Sequence, residues 1–426
     1  MIRPDTFYSK NKYRDPERGL QEAVALAKSI NLSVIDAKII KIRRLTPATL
    51  FGTGTTKSLA VSLTNQKIDL VVVDGKLSPT QQRQLETEWK CKVIDRTGLI
   101  LEIFQARAST HEGRLQVELA TLDYQKNRLV RAWTHLERQR GGRGFLAGPG
   151  ESQIESDRRQ ISQRRAQIRA NLDKVVKTRQ LQRIPREKVP LPLVALVGYT
   201  NAGKSTLFNH LSRSNTYVAD QLFATLDPKM SKIVLPSGCP IILSDTVGFI
   251  GDIPTELIAA FRATLEELSH ARVLLHIRDV SDPDNLNQKR DVQHTLRELG
   301  IKDEDNNQAI IQVLNKIDLL RTFPNISPLP IDKETKNIVS ISSKTGEGCD
   351  ELLGVIDAIL MERRKIFNIK IPMSEGAALA WLYRNGVVLS RTEEKTDLLL
   401  RVSLEPEQKA KFHSNFARLE AKSDFF

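Results

Sequence analysis

Gly198-Tyr199-Thr200-Asn201-Ala202-Gly203-Lys204-Ser205 is the stretch on which the reading of this chain turns. Leu193-Val194-Ala195-Leu196-Val197 before it reads as a buried strand, and Thr206-Leu207-Phe208-Asn209-His210-Leu211 after it as a helix. Strand, glycine-rich loop and helix form the context in which the spacing G-x-x-x-x-G-K-[ST] is a phosphate site. Glycines let successive backbone amides converge on phosphate oxygens, and the helix N-terminus adds partial positive charge. Lys204 is expected to reach the β- and γ-phosphates, and the Ser205 hydroxyl to bind Mg²⁺. A plain turn before a helix would need neither the lysine nor the serine.

Downstream, the apolar run Ala309-Ile310-Ile311-Gln312-Val313-Leu314 ends in Asn315-Lys316-Ile317-Asp318. The Asp318 carboxylate can accept from guanine N1–H and the 2-amino group, which adenine does not offer. The Lys316 stem can cover the base, and Asn315 can tie this loop to the phosphate loop. A site built for those donors rejects a base that leaves its carboxylate unpaired. Between the two motifs, Ile241-Ile242-Leu243-Ser244-Asp245-Thr246-Val247-Gly248 is a strand ending in D-x-x-G. Asp245 is expected to hold Mg²⁺ through water, and the Gly248 amide to sense the γ-phosphate. Thr225, in Leu222-Phe223-Ala224-Thr225-Leu226-Asp227-Pro228, is placed to close on the metal as a switch threonine. Ser342-Ser343-Lys344 follows Ile338-Val339-Ser340-Ile341 and fits the loop whose amides meet guanine O6. Five elements in this order read as a GTP-hydrolysing domain. Lys204, Thr225 and Gly248 are its catalytic candidates. Gly198 to Thr206, Phe223 to Thr225, Asp245 to Gly248, Asn315, Lys316, Asp318 and Ser342 to Lys344 are its nucleotide contacts.

The chain has 426 residues, enough for two or three domains with separate cores. Its N-terminus lacks an apolar leader and no stretch approaches 18 apolar residues, so neither a signal peptide nor a membrane span is expected; a cytoplasmic monomer is the expectation. Cys91, Cys239 and Cys349 lie far apart with no metal-type spacing and read as thiols in a reducing compartment. The net charge is +13, and residues 124–190 hold 17 Lys and Arg against 6 Asp and Glu. Such a concentration suits either a solvated face or a phosphate backbone.

Four regions follow. Residues 1–110 alternate strand-like and helical runs, with 1–15 polar and loose and Ile68-Asp69-Leu70-Val71-Val72-Val73-Asp74 the clearest strand. That pattern implies a small α/β unit. Residues 111–190 change to helical periodicity. Leu115, Leu119, Leu122, Leu129, Trp133 and Leu136 form one apolar stripe, and Ile154, Ile161, Ile168, Leu172 and Val175 another. Between the stripes lies Gly141-Gly142-Arg143-Gly144-Phe145-Leu146-Ala147-Gly148-Pro149-Gly150, so the spacing predicts an antiparallel hairpin with a glycine-rich contact tip and a basic linker after it. Residues 191–366 form the nucleotide domain, with a helix over 256–268. Residues 367–426 predict a small α+β unit containing a hairpin at Glu393 to Asp397.

These strings resemble the HflX ribosome-associated GTPases over almost the whole chain. The specific ones are Leu77-Ser78-Pro79, Val93-Ile94-Asp95-Arg96-Thr97, Glu112-Gly113-Arg114-Leu115-Gln116-Val117-Glu118-Leu119-Ala120, and Gly148-Pro149-Gly150-Glu151-Ser152-Gln153-Ile154-Glu155 with Asp157-Arg158-Arg159. The family commonly has Arg before Gly-Pro-Gly, where this chain has Ala147, with Arg143 nearby. The resemblance implies a factor that binds the large ribosomal subunit and its rRNA and splits stalled ribosomes under stress. Arg140, Arg143, Arg158, Arg159, Arg164 and Arg165 are then candidate RNA contacts. A large-subunit assembly GTPase, or a GTP-binding interaction protein with negligible hydrolysis, is the competing expectation. Intact Lys204, Ser205, Thr225 and Asp245 argue against the latter.

The residue after Gly248 is Phe249, where a Ras-like enzyme places its water-orienting glutamine. Phenylalanine neither donates nor accepts, so slow turnover raised by a partner is expected. Asn201 stands beside the phosphates, where related P-loop GTPases use asparagine to help hold K⁺. It could equally brace the loop through its amide.

Overall fold

The computed structural model describes residues 1–6, 15–139, 149–187, 191–213, 222–223, 229–251, 257, 268–301, 308–322, 337–362, 365–394, 396–404 and 406–416. Ala224, Thr225, Arg140, Arg143, the tip over 141–148 and most of the expected helix over 256–268 lie outside them. Among the described residues three sheets organise the chain, in a mixed α/β arrangement.

The first sheet is parallel, in the order β2-β1-β3-β4, from β1 (Ile2–Thr6), β2 (Lys38–Ile42), β3 (Leu70–Val73) and β4 (Lys92–Asp95). β1 corrects the expectation that residues 1–15 are loose. Ile-Arg-Pro-Asp-Thr has little strand character of its own, but it pairs with β2 from Ile2↔Lys38 to Thr6↔Ile42 and touches β3 at Val73. Its arginine is matched, since Arg3 donates to Asp74. Around the sheet lie α1 (Pro16–Lys28), α2 (Thr53–Asn65), α3 (Pro79–Trp89) and α4 (Arg96–Arg107). α3 begins where its sequence dictates. Pro79 enters the first turn, and Ser78 and Gln81 bond reciprocally as a capping box. Asp95 caps α4 by accepting from the Gly98 amide at 2.8 Å.

Two long helices follow, α5 (His111–Gln139) and α6 (Pro149–Glu187). Leu115 and Leu119 of α5 bury Ile168 of α6, with Leu122 and Leu172 packed alongside. The base of α5 is fastened to the first sheet, because Tyr124 donates to Asp95 at 2.7 Å and Arg128 pairs with the same carboxylate.

The second sheet has the order β10-β9-β8-β5-β7-β6. β5 (Leu193–Gly198) lies centrally between β7 (Pro240–Asp245) and β8 (Val273–Asp279). β9 (Ala309–Asn315) and β10 (Ile338–Ser340) continue the parallel run, and only β6 (Lys229–Val234) is antiparallel, to β7. The ends of β5, β7 and β9 thus deliver the three motif loops to one edge, the usual ligand edge of an open α/β sheet. α7 (Lys204–Ser212), α8 (Asn285–Glu298), α9 (Ile317–Thr322) and α10 (Cys349–Glu362) accompany it.

The last sheet, β11-β13-β12, is antiparallel. It comprises β11 (Lys365–Pro372), β12 (Val387–Glu394) and β13 (Asp397–Leu404). α11 (Gly376–Asn385) and α12 (Pro406–Asn415) cover one face through Trp381 and Phe412.

Candidate functional site

The loop between β5 and α7 is built by close approaches that exclude side chains. At Gly203, with φ of +94°, a Cβ would come 2.2 Å from the Asn315 amide nitrogen. Lys204 opens α7, is buried, and donates from Nζ to the carbonyls of Gly198 at 3.1 Å and Tyr199 at 2.7 Å. Burial pushes its pKa down to about 8, against the opposing pull of Asp245. The Ser205 hydroxyl lies on the same turn and donates to Asp245 Oδ2 at 2.7 Å. A hydroxyl and a carboxylate beside a phosphate loop are the hard oxygen donors that suit Mg²⁺. Among the described residues no set of three or more His, Cys, Asp or Glu could hold a metal alone. An ion here would need phosphate oxygens as well, the usual arrangement for Mg²⁺.

Thr246 anchors the end of β7 by donating to the Leu196 carbonyl at 2.6 Å. The following segment runs beside the phosphate loop. Phe249 N donates to Gly198 O at 3.0 Å and Thr200 N to Phe249 O at 2.7 Å. At Gly248 a Cβ would meet Thr200 Cγ2 at 2.9 Å and Lys204 Nζ at 3.0 Å, so only glycine fits. Phe249 is buried, with no polar group on its side chain.

The loops after β5, β9 and β10 are laced together. Asn315 donates to the Ala202 carbonyl at 2.8 Å and to Ser343 Oγ at 3.1 Å, and accepts from the Ser343 amide at 2.9 Å. Ser342 donates to Asp318. Lys316, at φ +65°, pairs with Asp279 at 2.6 Å. Asp279 was not among the sequence candidates. It ends a strand without any motif around it, and only pairing with β9 brings it to Lys316. Asn201 and Lys344 are exposed at the rim, Asn201 with φ of +60°. The structure therefore brings together Gly198 to Thr206, Asp245 to Gly248, Asn315 to Asp318 and Ser342 to Lys344. Phe223 lies beside them, buried against Phe104.

The hairpin arginines divide into two classes. Arg158 and Arg159 are exposed on α6. Arg164 instead forms a bidentate pair with Glu118, at 2.7 and 3.1 Å, and Arg165 pairs with Asp123. The latter two clamp α6 to α5, a use their surface-like spacing did not signal. No helix among the described residues is long and apolar enough to cross a membrane.

Four family models match in chain order. They are a GTP-binding GTPase N-terminal region over 17–105, a GTP-binding GTPase middle region over 107–186, a 50S ribosome-binding GTPase over 193–316 and an HflX C-terminal domain over 331–424. The chain is similar to a protein named GTPase HflX from Magnetococcus marinus, at 45% identity over 92% of this chain and 89% of that one. It is 42% identical to the GTPase HflX of Escherichia coli, over 86% of this chain and 84% of that one. Among solved structures, a GTP-binding protein from Sulfolobus solfataricus in complex with GDP aligns at 23% identity, over 85% of this chain and 99% of that one, with a TM-score of 0.40.

Proposed function

The chain belongs to the HflX family of GTPases, and from that premise we propose that it couples GTP hydrolysis to engagement of the large ribosomal subunit, splitting or rescuing stalled ribosomes. The observation that carries the nucleotide half is the lacing of Asn315 to Ala202 and Ser343, which sets base-reading and phosphate-reading loops at fixed separation. In this reading the backbone amides of 198–206, with Lys204, bind the phosphates, Asp318 pairs with guanine, and the amides of 342–344 face O6. Ser205 and Asp245 would hold Mg²⁺, with Thr225 closing on it. The ion, when bound, offsets charge on the β- and γ-phosphates. Phe223 and Ala224 are among the chain's nucleotide contacts, and the Gly248 amide meets the γ-phosphate.

Support for the ribosomal half comes from the 50S ribosome-binding GTPase model over 193–316 and from the +11 carried by residues 124–190. Exposed Arg158 and Arg159 are the helix positions that meet rRNA, with Arg140 and Arg143 at the tip. Since Phe249 cannot orient water, turnover is slow until the ribosome orders the missing group. Adding purified large subunits should raise GTP turnover by about a hundredfold or more. Intact ribosomes sedimented with this protein and GTP should convert to subunits. Equal turnover with and without subunits refutes the coupling.

A further inference from the structure

Thr200, in the phosphate loop, carries a buried hydroxyl that nothing around it uses. The residue is 6% exposed, and its Oγ1 has no hydrogen-bond partner among the described residues. Leaving a buried hydroxyl unpaired costs about 1–3 kcal/mol, so its presence in a native loop calls for a reason. Valine would fill the same volume without that cost. The neighbouring polar side chains are already engaged. Lys204 Nζ donates to the carbonyls of Gly198 and Tyr199, Ser205 to Asp245, and Thr246 to the Leu196 carbonyl. The backbone of Thr200 is engaged as well, its amide donating to Phe249 O at 2.7 Å.

The position of that hydroxyl gives the reason. A Cβ at Gly248 would meet Thr200 Cγ2 at 2.9 Å, Thr200 Cα at 3.0 Å and Lys204 Nζ at 3.0 Å. Thr200, Lys204 and Gly248 thus converge on one point, and the last two are the groups assigned above to the γ-phosphate. The Thr200 methyl is the branch that faces Gly248, while the hydroxyl takes another staggered position on the same Cβ. Exchange between staggered χ1 wells brings the oxygen to the methyl's place without moving the backbone. An unpaired hydroxyl has no bond to break in making that turn. Phe249, its backbone neighbour across the bond to Thr200, is buried and offers no polar side-chain atom.

We propose that the Thr200 hydroxyl is a catalytic group of the GTPase reaction, orienting the attacking water in the place of the glutamine that Phe249 displaces. The inference rests on the GTPase reading above and names the group which that reading leaves open. A hydroxyl both donates and accepts. Donating to a γ-phosphate oxygen while accepting from water, it holds the water beside the phosphorus it attacks. The water oxygen bonds to the γ-phosphorus, and the bond to the β,γ-bridging oxygen breaks with its electron pair staying on GDP. The proton lost by the water ends on the released phosphate, and Thr200 keeps its own. Turnover is slow while the methyl faces Gly248, and rises when the docked large subunit selects the rotamer that turns the hydroxyl there.

The test measures GTP turnover by the full chain with purified large subunits, alongside affinity for GDP and for a non-hydrolysable β,γ-imido GTP analogue. Thr200→Val removes the hydroxyl at nearly constant shape, and its kcat should fall about a hundredfold. KM for GTP and both affinities should stay within about twofold, the pattern of a contact made only in the transition state. Thr200→Ser keeps the hydroxyl and should return kcat to within about fivefold of the wild-type value. An unchanged kcat in Thr200→Val overturns the proposal. So does a raised KM with a weakened analogue at constant kcat, which would make Thr200 a phosphate contact alone. Where valine also disturbs GDP binding, the serine variant decides, since turnover as low as that of Thr200→Val again overturns the role. A wild-type chain that hydrolyses no GTP, with or without subunits, refutes the GTPase reading itself, whatever the variants do.

Discussion

Ser342 donates from its hydroxyl to Asp318 Oδ1 at 2.7 Å. The two residues are 24 positions apart, Asp318 in the first turn of α9 and Ser342 in the loop after β10, and the bond restrains rotation of the carboxylate. A base-reading carboxylate is specific only when it cannot turn to suit another donor pattern.

That relationship predicts guanine selectivity and its loss. Asp318→Asn replaces an acceptor by a donor facing guanine N1–H, at a cost of about 1–3 kcal/mol. Binding of GDP should weaken roughly tenfold to a hundredfold, and xanthine nucleotides should gain correspondingly. Competition of ATP with labelled GDP on the wild-type chain, as effective as that of GTP, would refute the assignment.

The motif loops were legible because each is a strand end whose chemistry is fixed by neighbouring residues in the sequence. Gly203, Lys204, Asn315 and Asp318 need no distant information to be recognised. The start of α3 was legible for the same reason, with Ser78, Pro79 and Gln81 in one turn. β1 was not, because Ile2–Thr6 becomes a strand only by pairing with β2 some 36 residues away. The Arg96–Gly251 and Glu22–Tyr199 contacts span 155 and 177 positions and leave no local trace. Arg164 looked like Arg158 in the sequence; only the antiparallel packing of α5 separates them, by supplying Glu118.

Asn201 is expected to make turnover depend on potassium. It holds a left-handed backbone that asparagine tolerates, and stands exposed beside Thr200 and the phosphate-binding amides. A side-chain carbonyl there can help coordinate a monovalent cation that offsets charge between the β- and γ-phosphates. GTP turnover should be higher in KCl than in NaCl at equal ionic strength, and Asn201→Ala should abolish the difference. Equal rates in the two salts would leave Asn201 as a brace only.

His276 predicts an acid-labile core. It sits in β8, buried, with Nδ1 3.3 Å from the Gln312 amide nitrogen. Burial, with smaller help from Arg278, lowers its pKa from 6.5 to about 3. The unfolded chain binds this proton below 6.5 and the folded chain does not until far lower. The stabilisation is therefore complete above pH 6.5 and is lost as pH falls toward 3. The loss is about 1.4 kcal/mol per pH unit, or about 2 kcal/mol by pH 5. Urea midpoints measured between pH 7 and 5 should fall less steeply in His276→Gln, and parallel slopes would refute the role.

The hairpin arginines are separable by experiment because the structure gives them different work. Arg158 and Arg159 are exposed, whereas Arg164 and Arg165 are committed to Glu118 and Asp123 across the helix pair. Reversing Arg158 and Arg159 to Glu should weaken ribosome binding and reduce the slope of log affinity against log salt by about one per arginine. Reversing Arg164 and Arg165 places like charges against α5, so thermal stability should fall as well as affinity. Deleting residues 142–148 should leave GDP binding intact, because every proposed nucleotide contact lies at Gly198 or beyond. It should abolish splitting while salt-dependent association through the helix arginines survives. Normal splitting by the deletion, or unchanged low-salt affinity after reversal of Arg158 and Arg159, would remove the hairpin from the ribosomal contact.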